Sequence, residues 1–94
     1  MAIRAFIERE VKPGNDLRLH NLLMQLRNKA MLQKGYLTGE TLRDVNNANK
    51  FLVISTWNSL EDWNNWHASR ERKVLQDELD GFLKAPGKYM VYTY

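Results

Sequence analysis

Thr56-Trp57-Asn58-Ser59-Leu60-Glu61-Asp62-Trp63-Asn64-Asn65-Trp66-His67 carries all three tryptophans of the chain and one of its two histidines, and its reading decides the fold. Ser59 followed by Asp62 has the form of a capping box, which satisfies the free N–H groups at the start of a helix. A strand is therefore expected to end near Trp57 and a helix to begin after Ser59. At about 100° per residue, Leu60, Trp63 and His67 fall on one stripe of that helix with Trp66 at its flank.

Working upstream, Lys50-Phe51-Leu52-Val53-Ile54-Ser55-Thr56-Trp57 reads as a strand that is apolar on both faces. Phe51, Val53 and Trp57 point one way and Leu52 and Ile54 the other, so both faces should be covered. Asn46 to Asn49 is turn chemistry, which makes this strand one arm of an antiparallel hairpin with Tyr36 to Val45. Gly39 interrupts the first arm and marks either a bulge or a close approach by another group. Before the hairpin, Leu19, Leu22, Leu23, Leu26 and Ala30 recur at helical spacing after Pro13-Gly14, with Asn15 or Asp16 as cap. This helix is expected to run to about Gln33, with Leu17, Met24 and Met31 widening its apolar side. Gly35 then serves as a C′ glycine. At the N-terminus, Ile3, Ala5, Ile7 and Val11 alternate with Arg4, Glu8 and Glu10 as a first strand, Phe6 being the apolar exception on the second face.

Downstream, Ser69 can cap a segment with Leu75, Leu79, Phe82 and Leu83 at helical spacing up to Lys84, either a third helix or a continuation after a kink. Ala85-Pro86-Gly87 ends it, and Tyr89 to Tyr94 is a final strand. The order β-α-β-β-α-(α)-β predicts one α+β domain over residues 1–94: a ferredoxin-like, four-stranded antiparallel sheet with helices on one face. The bare face should carry Phe51, Phe6 or their opposite-parity neighbours, together with tyrosines of the last strand. A symmetric homodimer joined sheet to sheet would cover that patch.

Composition limits the chemistry. The 94 residues suit one small domain of ordinary make-up, 44% hydrophobic and 27% charged, with a net charge of +3 and no block of like charge. With no cysteine, a disulfide framework, a thiolate nucleophile and a cysteine-ligated zinc are excluded. His20 and His67 stand in no metal-ligand spacing, so no metal site is expected. Glycine-rich phosphate motifs are absent, and the third strand offers aliphatics where an RNA-recognition module requires stacking aromatics. No nucleic-acid partner is expected. Met1 to Phe6 is broken by charge before any long apolar run, which predicts no membrane segment and a soluble cytoplasmic protein.

Gly35-Tyr36-Leu37-Thr38-Gly39-Glu40-Thr41-Leu42, the strand end Thr56-Trp57 and Ser59-x-x-x-Trp63-x-x-Trp66 together resemble the antibiotic biosynthesis monooxygenase family. The resemblance spans nearly the whole chain and implies a dimeric ferredoxin-like α/β barrel. It also implies cofactor-independent oxygenation of a quinol, anthrone or similar electron-rich aromatic. Trp66 falls where the family commonly keeps a pocket tryptophan, which implies contact with substrate. Haem-degrading relatives use an asparagine on the first strand and a histidine on the last long helix; Ile7 and Gln76 stand at those places here, so haem contacts are missing. His67, Tyr36, Arg43 and Asn58 are the candidate polar groups of the pocket, whereas Trp57 and Trp63 are read as packing. The alternative function is a non-catalytic dimer that binds a small hydrophobic ligand.

Overall fold

In a computed structural model, which describes residues 1–14 and 16–94, seven elements follow one another in the expected order. They are β1 (Ile3–Glu10), α1 (Asp16–Met31), β2 (Tyr36–Asp44), β3 (Asn47–Trp57), α2 (Leu60–His67), α3 (Arg70–Asp80) and β4 (Lys88–Thr93). All strand pairs are antiparallel, in the order β2-β3-β1-β4. The fold is α+β and ferredoxin-like, with its helices on one face of the sheet.

Strict alternation sets the layers. In β1 every odd residue from Ile3 to Arg9 is buried and every even one is partly open. The register Ile3↔Trp57, Ala5↔Ser55, Ile7↔Val53 and Arg9↔Phe51 carries that parity into β3, because directly paired residues share a face. The helix-facing side therefore holds Ile3, Ala5, Ile7, Phe51, Val53 and Trp57. Phe6, Leu52, Ile54 and Leu42 occupy the other side, where Phe6 meets the ring of Tyr92 edge-on at 5.5 Å. Of the two phenylalanines considered for the bare face, Phe6 lies there and Phe51 packs against the core beneath the helices.

Helix α1 buries Leu19, Leu22 and Leu26. Leu17, Met24 and Met31 do not widen that face: Leu17 is 76% exposed and Met31 52%. At about 100° per residue their stripe lies roughly 165° around the helix from the leucines. Asn15, one of the two capping candidates, lies outside the described residues. The helix ends at Met31, two residues before the expected end, and tightens through Leu32 N–H to Lys29 O and Gln33 N–H to Ala30 O. Gly35 thus sits beyond a turn, at φ +85°, where a side chain would collide with the Asp62 carboxylate.

The hairpin turn is shorter than expected, with Asp44 already opposite Asn47 and the Asp44 carboxylate accepting the Asn46 N–H at 2.7 Å. The β2 irregularities fall between Tyr36 and Thr38 and between Arg43 and Asp44, not at Gly39. Gly39 instead accommodates the Tyr36 hydroxyl, which occupies the place of its missing side chain.

Ser59 caps α2, its hydroxyl accepting the Asp62 N–H at 3.1 Å, and Ser69 caps α3 by accepting the Arg72 N–H at 3.2 Å. The two are separate helices. On α2 the buried side is centred on Asp62, Trp63 and Trp66, so Trp66 is central and Leu60, 50% exposed, is marginal. Helix α3 stops at Asp80 rather than near Lys84. The following residues pair with the end of β1 through Lys12 N–H to Phe82 O and Lys84 N–H to Glu10 O, which seats Leu83 in the core.

Candidate functional site

Between the helices and the sheet lies a cavity of about 820 Å³ free of protein atoms, counting its open mouth. Its walls are mostly apolar, as expected of a site for a small organic ligand. Trp57 and Phe51 of β3, Tyr36 of β2 and Trp63 and Trp66 of α2 provide the rings. Tyr36 stands edge-on to Trp57 at 5.4 Å, and Trp57 to Trp63 at 5.8 Å. These edge-to-face contacts align negative faces with positive edges, and the Trp57 indole N–H is satisfied by the Ser55 hydroxyl at 3.0 Å.

Of the residues expected at the site, Trp66 and Tyr36 line this cavity together. Trp66 is 5% exposed, so its packing and any ligand contact share one side chain. His67 stacks on Trp63 at 5.3 Å and meets Tyr89 edge-on at 4.8 Å, outside the cavity lining. Its Nδ1 has no hydrogen-bond partner among the described residues. Burial first, then repulsion from Arg72 and Lys73, lowers its pKa and favours the neutral ring. Arg43 lies over the Phe51 ring at 5.1 Å on the exposed β2 edge, and Asn58 is exposed, its N–H donating to Gly35 O at 2.7 Å. Neither lines the cavity.

Two buried guanidiniums in the cavity wall were not expected from the sequence. Arg9, 6% exposed, donates from Nη2 to Gln76 Oε1 at 3.0 Å, and Gln76 Nε2 donates to Asp80 at 2.8 Å. The Tyr89 hydroxyl donates to Gln76 Oε1 at 3.4 Å and accepts from Arg72, whose Nη1 donates to His67 O at 3.1 Å. The Nε of Arg9 is buried and has no partner among the described residues. Burial pulls the Arg9 pKa down, while Tyr89 opposes this, Arg72 repels the charge and Asp80 attracts it. Arginine nevertheless keeps its proton in proteins, so the wall carries a cation. A signal was available: Arg9 falls at the apolar parity of β1, among Ile3, Ala5, Ile7 and Val11. Gln76 holds Arg9, and Ile7 lines the cavity as a plain apolar wall.

A family model, antibiotic biosynthesis monooxygenase, matches residues 2–78. The chain belongs to this family. Solved structures of this architecture agree in fold. A conserved protein of Methanosarcina mazei Go1 superposes with a TM-score of 0.90 at 18% identity, over 98% of this chain and 91% of that one. A mutant form of SnoaB, a cofactor-independent oxygenase from Streptomyces nogalater, gives 0.87 at 13% identity over 99% and 92%. An antibiotic biosynthesis monooxygenase homologue from Nitrosomonas europaea gives 0.89 at 11% identity over 99% and 89%. No curated protein sequence matches closely enough to indicate kinship. Among the described residues no helix is long and apolar enough to cross a membrane.

Proposed function

We propose that this family member is a monooxygenase that needs no cofactor and oxidises an electron-rich aromatic of the quinol or anthrone type. The observation that carries the reading is a cavity walled by five aromatic rings and bordered by a buried guanidinium with a free Nε. SnoaB, a cofactor-independent oxygenase of the same fold, supports it. Such a substrate supplies its own electrons. For an anthrone, the ring CH₂ becomes C=O, one atom of O₂ enters the product, and the other leaves as water with the two hydrogens removed. The rings would hold the flat substrate and exclude water, and Arg9 would stabilise the negative charge left by deprotonation.

The reading includes a homodimer formed through the bare sheet face, where Phe6, Leu42, Leu52 and Tyr92 would be covered. Light scattering tests it; a monomer at micromolar concentration would oppose it. Oxygen uptake with a panel of hydroquinones and anthrones tests the activity, and calorimetric titration with the same compounds tests binding. Turnover is expected, with Trp66→Phe retaining more of it than Trp66→Ala. Binding without turnover would favour the non-catalytic ligand-binding protein instead.

A further inference from the structure

We infer that the ligand of the aromatic cavity is an organic anion, a ring system bearing a carboxylate, whose charged group is held by Arg9 and Arg72. The inference rests on the cavity being the substrate site, as proposed above, and adds the charge of what enters it.

Charge balance points to this ligand. Arg9 and Arg72 both line the cavity and are both buried. They are joined by a chain of neutral groups, Arg9 to Gln76 and Arg72 to Tyr89 to Gln76, so neither meets a carboxylate directly in that chain. The one acid in the network, Asp80, is reached only through the Gln76 amide. Two cations therefore share one indirect anion. Burying guanidinium without a full complement of acceptors is costly unless an anion completes the set. Arg9 also retains an unused donor at Nε, and a planar fork of this kind matches a carboxylate. A third guanidinium, Arg27 of α1, lines the cavity and is exposed to solvent. Glu40, the acidic residue in the lining, pairs with Ile54 and so has the parity of the bare sheet face. The field inside favours an entering anion, and the exposed Arg27 would raise its rate of entry.

The test is isothermal titration of the protein with two isosteric pairs: 1-naphthoate against 1-naphthamide, and benzoate against benzamide. Each pair keeps ring and shape and changes the charge. The expected result is at least tenfold tighter binding of the carboxylate in one pair, weakening as salt is raised. Arg9→Gln should reduce that preference to about threefold or less, and Arg9→Lys should restore part of it. Equal affinity for acid and amide, no binding of either pair, or a preference that persists unchanged in Arg9→Gln would each overturn the inference. If Arg9→Gln does not fold, the comparison in the unaltered protein decides, with Arg27→Gln, exposed at the mouth, expected to keep most of the carboxylate preference. Tight binding of the naphthoate with no oxygen uptake on any aromatic would sink the oxygenase reading and leave this one standing. Oxidation of a neutral anthrone with no preference for carboxylates would do the reverse.

Discussion

Gly39→Ala tests the aromatic wall at its most exposed joint. A methyl at residue 39 would overlap the Tyr36 hydroxyl and come to 3.3 Å from the ring carbon that bears it. Since β2 is an edge strand, the ring can yield by swinging away from Trp57. That forfeits an edge-to-face contact worth about 0.5–1.5 kcal/mol. Opposing this, alanine in a strand gains roughly 0.5–1 kcal/mol over glycine through lower chain entropy. The two nearly cancel, so Gly39→Ala alone should change stability by less than about 1 kcal/mol. In a Tyr36→Phe background the overlapping oxygen is gone, and the same substitution should be stabilising by roughly 0.5 kcal/mol or more. Urea denaturation of all four variants closes the cycle, with an expected coupling of about 0.5–1.5 kcal/mol between neighbours in contact. An identical effect of Gly39→Ala in both backgrounds would refute the packing of Tyr36 over Gly39, and with it the shape of this wall.

Gly35→Ala should be more damaging, by about 1–3 kcal/mol for the positive φ alone, because its methyl also meets Asp62; a melting temperature within about 2 °C of the parent, roughly 0.5 kcal/mol or less, would contradict this. Gln76→Met removes the acceptor shared by Arg9 and Tyr89 and should cost about 1–3 kcal/mol by leaving buried donors unpaired, as measured by chemical denaturation; an unchanged midpoint would show the network to be slack. The His67 pKa is lowered in the folded chain by burial and by Arg72 and Lys73, so on acidification the unfolded state takes up its proton first. The stability tied to neutral His67 is therefore present above the unfolded value, about 6.5, and falls as pH drops below it. His67→Asn should flatten the fall in melting temperature between about pH 7 and 5, and an equally steep fall would assign the slope to other groups.

The fold was legible because its signals are periodic. The alternation of β1, the leucine stripe of α1 and the serine caps of α2 and α3 each depend on neighbours within a few residues. Which parity of β3 faces the helices was not legible, because that strand is apolar on both faces; the register with β1 decides it and sends Phe51 to the core and Phe6 to the bare face. What misleads on α1 is the second apolar stripe: Leu17, Met24 and Met31 repeat regularly and read as widening the leucine face, yet they lie on the far side of the helix and stay exposed. Of the five rings lining the cavity, only Trp66 and Tyr36 read as pocket residues in the sequence, while Trp57 and Trp63 read as packing. Trp66 and Tyr36 announce themselves by residue type and by proximity to turns. Arg9 and Arg72 are far apart in sequence and become one feature only when β1 and α3 are packed, through Gln76 and Tyr89. A charged residue at a buried parity is the one local clue to such a network, and Arg9 shows it.

The fate of molecular oxygen decides the oxygenase reading. Incubating the protein with an anthrone under ¹⁸O₂, in the presence of a chelator, and weighing the product by mass spectrometry asks the question in one step. Anthraquinone carrying one labelled oxygen is expected, formed faster than in the absence of protein and much more slowly by Trp66→Ala. Product without label, or formation no faster than the uncatalysed reaction, would contradict it.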